Sequence, residues 1–292
     1  MPTKPTHILL IDDDPELTKV VFKESRKYRF IVSAFNNLKQ GIDFLEKHQK
    51  IKAVVLDSRC ALDEEQKPDS IKTNFVFQAM EDIKEIKHRQ DRLIPFCVFS
   101  DKTFDLHNDL DGIAPVFNKS DGFEPLFQYL QTVVGQLPEM LVREKFDVVF
   151  GFIADFMTDE DDDLMESLLM KGEQTDPATI ISNLTLVRRL LEKLFDILSV
   201  NVMATNPWSF DHSGQSRTRS IMDALTKNNL LPYALKNKAG DVYAFTSKYG
   251  SHNQTEKHIK YHPGSYAVQA NIFYLLELFM WASQCISNLS KQ

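Results

Sequence analysis

The stretch His7-Ile8-Leu9-Leu10-Ile11-Asp12-Asp13-Asp14 runs from four consecutive apolar residues straight into three aspartates. An apolar run without polar alternation reads as a strand buried on both faces, as in a parallel sheet covered by helices. Pro15 to Tyr28 follows with helical spacing, so the aspartates fall where a strand gives way to a helix. The pattern then repeats. Phe30–Phe35 precedes the helical stretch Leu38–His48, and Ala53–Leu56 ends in Asp57. Phe75–His88 is helical, Ile94–Phe99 ends in Ser100, and Ile113–Phe117 precedes the helical Phe123–Val134. Five such units predict an α/β domain with a doubly wound, five-stranded parallel sheet of the flavodoxin-like kind.

Gly135 to Pro138 punctuates the end of this pattern, which predicts a domain over residues 1–137 and a second over 138–292. The second half changes character. Glu139–Met157, Pro177–Val200, Ser216–Leu230 and Ser265–Ser287 have helical periodicity, so a mainly α-helical output domain is expected. Leu231–Ser247 reads two ways. Lys236–Asp241 is either a hairpin turn between PYAL and VYAFTS or a break between helices.

At 292 residues the chain has room for two domains, and 43% hydrophobic with 26% charged residues excludes a broadly disordered or collagen-like chain. The net charge of −7 is shared almost evenly between the halves, which disfavours a generic nucleic-acid binder without excluding one. Without the acidic run Asp159–Asp163, read as a solvated linker or a helix start, the second half is slightly basic. Three scattered cysteines, Cys60, Cys97 and Cys285, make neither a zinc motif nor a disulfide framework. The N-terminal apolar run is too short for a signal peptide. Ala270–Cys285, interrupted by Glu277, reads as too short to span a bilayer, so a cytoplasmic protein off the membrane is expected.

Parallel α/β sheets carry their functional groups at the carboxyl ends of the strands. Those ends supply Asp12 and Asp13, Asp57, Ser100 and, just past the fifth run, Lys119. Clustered carboxylates repel one another and call for a cation, and an all-oxygen ligand set favours Mg²⁺. A phosphoryl group on Asp57 gives the remaining groups a role. Lys119 balances its charge, and the Ser100 hydroxyl donates to one of its oxygens.

HILLIDDD, VVLDSRC, FCVFS and VFNKS, in that order, resemble the receiver domain of two-component response regulators over about residues 5–135. The resemblance implies that Asp57 accepts a phosphoryl group from a histidine kinase or a phosphotransfer protein. Asp12, Asp13, Asp57 and the backbone carbonyl of Arg59 would hold Mg²⁺, and Ser100 and Lys119 would read the phosphoryl group. The chain is then a phospho-accepting regulator rather than an enzyme acting on a separate substrate. It departs from the family's pattern in having Ser120 for the usual proline, Val116 for the usual aromatic residue and Asp101 for a small one. Asp57 and Ser100 are 43 positions apart, longer than usual, with the excess in Asp63–Ser70, expected as a loop over the phosphorylation edge. Arg59 and Lys102 stand where the family tunes hydrolysis of the phosphoryl group.

The stretches VYAFTSKYGSHNQ and KYHPGSYAVQANIFYLLELFMWA resemble, more distantly, the end of HEPN-like helical domains. Ribonuclease members use an Arg and a His a few residues apart; here His252 is accompanied by Lys248 and no nearby Arg. His252, His258 and His262 lack zinc spacing, and Arg188, Arg189, Arg217 and Arg219 read as helix-surface residues. The expected output is protein interaction or homodimerisation. A receiver-gated RNA-cleaving effector is the alternative, followed by a DNA-binding transcriptional regulator in which PYALKNKAGDVYAFTS serves as a wing.

Overall fold

A computed structural model describes residues 5–63, 65, 75–101, 110, 113–210, 216–250 and 262–289. The chain forms two compact units, Pro2–Leu141 and Val142–Gln292 with Met1. Each has its own hydrophobic core.

The first unit holds β1 (Thr6–Ile11), α1 (Pro15–Ser25), β2 (Phe30–Phe35), α2 (Leu38–Lys47), β3 (Ile51–Leu56), α3 (Phe75–Gln90), β4 (Phe96–Ser100), β5 (Val116–Asn118), α4 (Glu124–Gly135) and the start of α5 (Pro138–Lys145). Its five strands form one sheet in the order β2-β1-β3-β4-β5, every pair parallel. This is the flavodoxin-like arrangement. The apolar runs look unpatterned in sequence because alternate residues enter different cores. Leu9 and Ile11 pack with α2 and α3, while Ile8 and Leu10 pack with α1 and α4. Gly41 marks a close approach of α2 to the sheet, since a Cβ there would lie 2.5 Å from the Ile11 Cδ1 atom.

The second unit is mainly helical among the described residues: α6 (Asp147–Phe156), α7 (Asp159–Lys171), α8 (Pro177–Asn201), α9 (Arg217–Lys227), α10 (Tyr233–Tyr249) and α11 (Ser265–Leu289). Helix α8 is the hub and lies against α7, α9, α10 and α11. Asp176 caps its first turn by accepting the Thr179 amide, and Pro177 fits the first helical position. Leu184, Val187, Leu190, Leu191, Leu194 and Leu198 are fully buried along one stripe, as the periodicity predicts. Gly250, just past α10, touches α8 so closely that a Cβ would lie 2.9 Å from the Leu184 carbonyl carbon. The Thr185 hydroxyl donates to the Gly250 carbonyl at 2.5 Å.

Two sequence expectations need correction. Neither reading of Leu231–Ser247 survives, because Tyr233–Tyr249 is one unbroken helix and PYALKNKAGDVYAFTS makes no wing. The reason is spacing: Ala239, Val242, Tyr243 and Thr246 recur on one face and are buried, and that burial outweighs the turn signal of Lys236–Asp241. Of the two readings of the acidic run, the helix start holds, since the run opens α7, and the solvated linker does not, since its middle is buried. Thr158 and Asp161 form a reciprocal capping box, and Asp161 and Asp162 are 0% and 4% exposed. Asp161 is ion-paired to Lys193, while the Arg143 guanidinium spans Asp162 at 2.7 Å and Glu166 at 2.6 Å.

Helix α11 is longer than the apolar segment read from the sequence and, by length and composition alone, is long enough to cross a membrane. One side of it, including Val268, Leu275, Leu278 and Phe279, is buried in the helical core. The opposite side exposes Tyr266 (84%), Phe273 (60%), Tyr274 and Met280.

Candidate functional site

The carboxyl edge of the sheet gathers groups from the ends of four strands, β1, β3, β4 and β5. The Asp12 amide donates to the Phe35 carbonyl at 3.0 Å, and the Asp57 amide donates to the Ile11 carbonyl at 2.8 Å. The strand ladder thus continues one residue past β1 and β3 and sets the two aspartates side by side. The three acids of Asp12-Asp13-Asp14 then take different roles. Asp14 caps α1, accepting the Glu16 and Leu17 amides, while Asp12 turns inward and accepts the Asp14 amide at 2.8 Å. Ligand oxygens of Asp12, Asp13 and Asp57 all lie within 4.8 Å of one another, with Asp12 buried, Asp57 9% exposed and Asp13 exposed.

Lys119 enters from the far side of the sheet. Asn118 at the end of β5 caps a short 3₁₀ turn, Lys119–Asp121, by accepting the Ser120 amide. From that turn the Lys119 ammonium reaches Asp12 at 2.9 Å and Asp57 at 3.1 Å. The bridge joins two residues that are 107 and 62 positions away in sequence.

Burial, and then the neighbouring carboxylates, push the carboxyls of Asp12 and Asp13 above the usual range. Burial does the same to Asp57, against the opposing pull of Lys119. Burial works against the Lys119 charge, yet Asp57 and Asp12 together hold its ammonium above the ordinary lysine value. One buried cation therefore does not balance three clustered acids. A set of three carboxylates with this unrelieved repulsion fits a hard divalent cation bound through oxygen. Among the described residues this is the one group of acids placed to hold a metal ion.

Ser100 ends β4 and is buried. Its hydroxyl donates to the Ser58 Oγ at 2.5 Å, and Ser58 is itself only 6% exposed. Sequence reasoning passed over Ser58. The signal was nonetheless present: Leu56 pairs with Val98, so continuing the parallel register two positions brings Ser58 opposite Ser100. Arg59 follows with an exposed side chain, and the loop then returns to α2, where Ala61 pairs with Asn37 and accepts the Leu38 amide at 2.9 Å. Cys60 is buried in this loop and its thiol donates to the Asn36 carbonyl at 3.1 Å. Burial and the field of the three aspartates push that thiol up to about 12.

No family model matches this chain, and no curated protein does. What the cluster does is therefore inferred from its chemistry and geometry.

Val116 packs with the α2–α3 side, whereas Phe99 and Phe117 lie on the α1–α4 side. Phe99 is buried against Phe123, with ring centroids 5.4 Å apart, and Phe117 packs on Tyr129 at 5.2 Å. Lys102 and the bulk of the Asp63–Ser70 stretch lie outside the described residues, as do His252 and His258. In the helical unit the arginines read as surface residues are ion-paired: Arg188 with Glu192, Arg189 with Glu160 and Arg217 with Asp196. Arg188 and Arg219 both lie over the Tyr243 ring.

Proposed function

We propose that the first unit is a phospho-accepting receiver of the two-component kind and that Asp57 takes the phosphoryl group. The observation that carries this reading is the Lys119 ammonium set between Asp12 and Asp57 beside Asp13, at the carboxyl edge of a 2-1-3-4-5 sheet. In the reaction an Asp57 oxygen attacks phosphorus, and the bond to the donor's leaving group breaks. For a histidine kinase or a phosphotransfer protein that is the P–N bond of a phosphohistidine, whose imidazole leaves and is protonated. Asp12, Asp13, Asp57 and the Arg59 carbonyl would hold Mg²⁺, which neutralises charge on the transferring oxygens. Lys119 is already placed to exchange its contact with the Asp57 carboxylate for one with a phosphoryl oxygen. Ser100 supplies a neutral donor for another.

The output we assign to self-association of the helical unit through α11. Tyr266, Phe273 and Met280 stand seven residues apart on its open side, the spacing with which two helices interlock. The helix carries a single charged residue, Glu277, and Lys238 pairs with it at 2.7 Å. A chain of net charge −7 can therefore meet its own copy along this stripe without like-charge repulsion. A helix lying on a membrane surface carries Lys and Arg along its polar side, and α11 has none.

Incubation of the full chain with acetyl phosphate and Mg²⁺, followed by intact-mass analysis, tests the receiver. One added phosphoryl group is expected, lost in Asp57→Asn and on chelation of the metal. No addition, or undiminished addition in Asp57→Asn, rejects the reading.

A further inference from the structure

We propose that the first turn of α2 is the template on which the loop after Asp57 is shaped for its metal ion, with Cys60 as the positioning residue. The inference rests on the receiver reading and adds to it an element and a side chain which that reading does not use.

A helix begins with amides that have no acceptor inside the helix. In α2 two of them are spent on the acceptor loop. The Leu38 amide donates to the Ala61 carbonyl at 2.9 Å, and the Lys39 amide donates to the Leu62 carbonyl at 3.0 Å. The next amide, Gln40, donates to the side chain of Asn37, which is buried. In the same turn Gly41 lies so close to Ile11 that a Cβ would be 2.5 Å from its Cδ1 atom, and Ile11 is the residue before Asp12. The start of α2 therefore touches both backbone segments that carry the clustered aspartates.

The loop itself is fixed at its two ends, at Asp57 by the bond of its amide to the Ile11 carbonyl and at Ala61 by the Leu38 amide. Between these points the Cys60 thiol donates to the Asn36 carbonyl at 3.1 Å. A carbonyl has no proton to give, so the direction of this bond is fixed. Cys60 is buried, which shields the bond from competing water. The Arg59 carbonyl belongs to the peptide that joins Arg59 to Cys60, so anchoring Cys60 restricts the rotations that aim it. An unanchored loop has to be ordered when an ion binds, at a cost in conformational entropy. Here the ordering is done when the chain folds.

The measurement is calorimetric titration of the full chain with Mg²⁺. Cys60→Ala removes the donor and should weaken binding by about three- to fivefold, the scale of one modest hydrogen bond. Cys60→Ser, whose hydroxyl reaches for the same carbonyl, should bind near wild type. A role in packing alone predicts no such rescue, since serine fills an apolar pocket no better than alanine does. At saturating Mg²⁺ wild type and both variants should take up phosphoryl groups from acetyl phosphate at equal rates, because the anchor acts only on assembly of the metal site. Cys60→Val, which fills the space without a donor, serves if the alanine variant does not fold, and it should show the same loss of affinity.

Wild-type affinity in the donor-free variants, a serine variant as weak as the alanine one, or a rate deficit that survives saturating Mg²⁺ overturns the proposal. Failure of the receiver reading looks different: wild type itself then takes up no phosphoryl group, or Asp57→Asn binds Mg²⁺ as tightly as wild type does.

Discussion

Asp161 shows what a buried carboxylate does when it is well partnered. Burial alone would raise its pKa, but the Lys193 ammonium and the Thr158 hydroxyl and amide hold it below the ordinary carboxylate value. A depressed folded-state pKa means that the unfolded chain takes up the proton first as pH falls. The stabilisation is therefore present above the unfolded value near 4 and is lost as pH drops through the lower folded value. Asp161→Asn should cost about 1–2 kcal/mol at pH 7, the combined effect of a lost cap and a weakened charge-assisted bond. The difference between variant and wild type should be smaller at about pH 3 than at pH 7, because the stabilisation declines as pH falls below the unfolded value near 4 towards the lower folded one. Urea denaturation of the full chain at the two pH values checks this, and an equal deficit at both would contradict it. The triad at the sheet edge has the opposite sign: Asp12, Asp13 and Asp57 are all raised, so their contribution falls as pH rises.

At the scale of elements, α10 separates what the sequence shows from what it hides. Gly240-Asp241 between two apolar stretches is an ordinary turn signal, and only the neighbouring helices make the competing pattern at 239, 242, 243 and 246 decisive. A Cβ at Gly240 would meet nothing within 4 Å. Gly240→Ala should then raise stability by about 0.5–1 kcal/mol, the usual gain in a helix interior, measured as an increased denaturant midpoint at constant slope. A hairpin at this point would give a loss instead. The parallel sheet, by contrast, was legible element by element, because each strand is an apolar run, and the ends of β1, β3, β4 and β5 carry the polar groups of the site. Asp12, Asp57, Ser100 and Lys119 were read from position alone. Ser58 was not, since its meaning depends on cross-strand register rather than on local pattern. The neighbours of Asp159–Asp163 were hidden for the same reason: Arg143 and Lys193 lie on helices to either side in sequence.

For the whole molecule, the two units divide the labour between one with an acidic cluster and one with an open stripe whose single charge, Glu277, is paired with Lys238. If α11 pairs with a second copy, sedimentation of the full chain should show a concentration-dependent dimer. Phe273→Asp, which places a carboxylate on that stripe in each copy, should shift it to monomer with unchanged helical circular dichroism. A wild-type chain that stays monomeric at high concentration, or a variant that dimerises equally well, removes the assignment. RNA cleavage or sequence-selective DNA binding by the full chain would replace it with the corresponding output. The helical unit contributes few sequence clues to its own role because its residues are committed to packing and to ion pairs among themselves.

The buried thiol of Cys60 has a consequence for the lifetime of an acyl phosphate. Such a mixed anhydride is an acylating agent, and a thiolate beside it would capture the aspartyl carbon as a thioester and expel phosphate. With the thiol pushed up to about 12 by burial and the aspartate field, it stays protonated at neutral pH. Burial first, and then the field of the three aspartates, keep the Cys60 sulfur protonated, so it would not compete with water for the acyl phosphate proposed on Asp57.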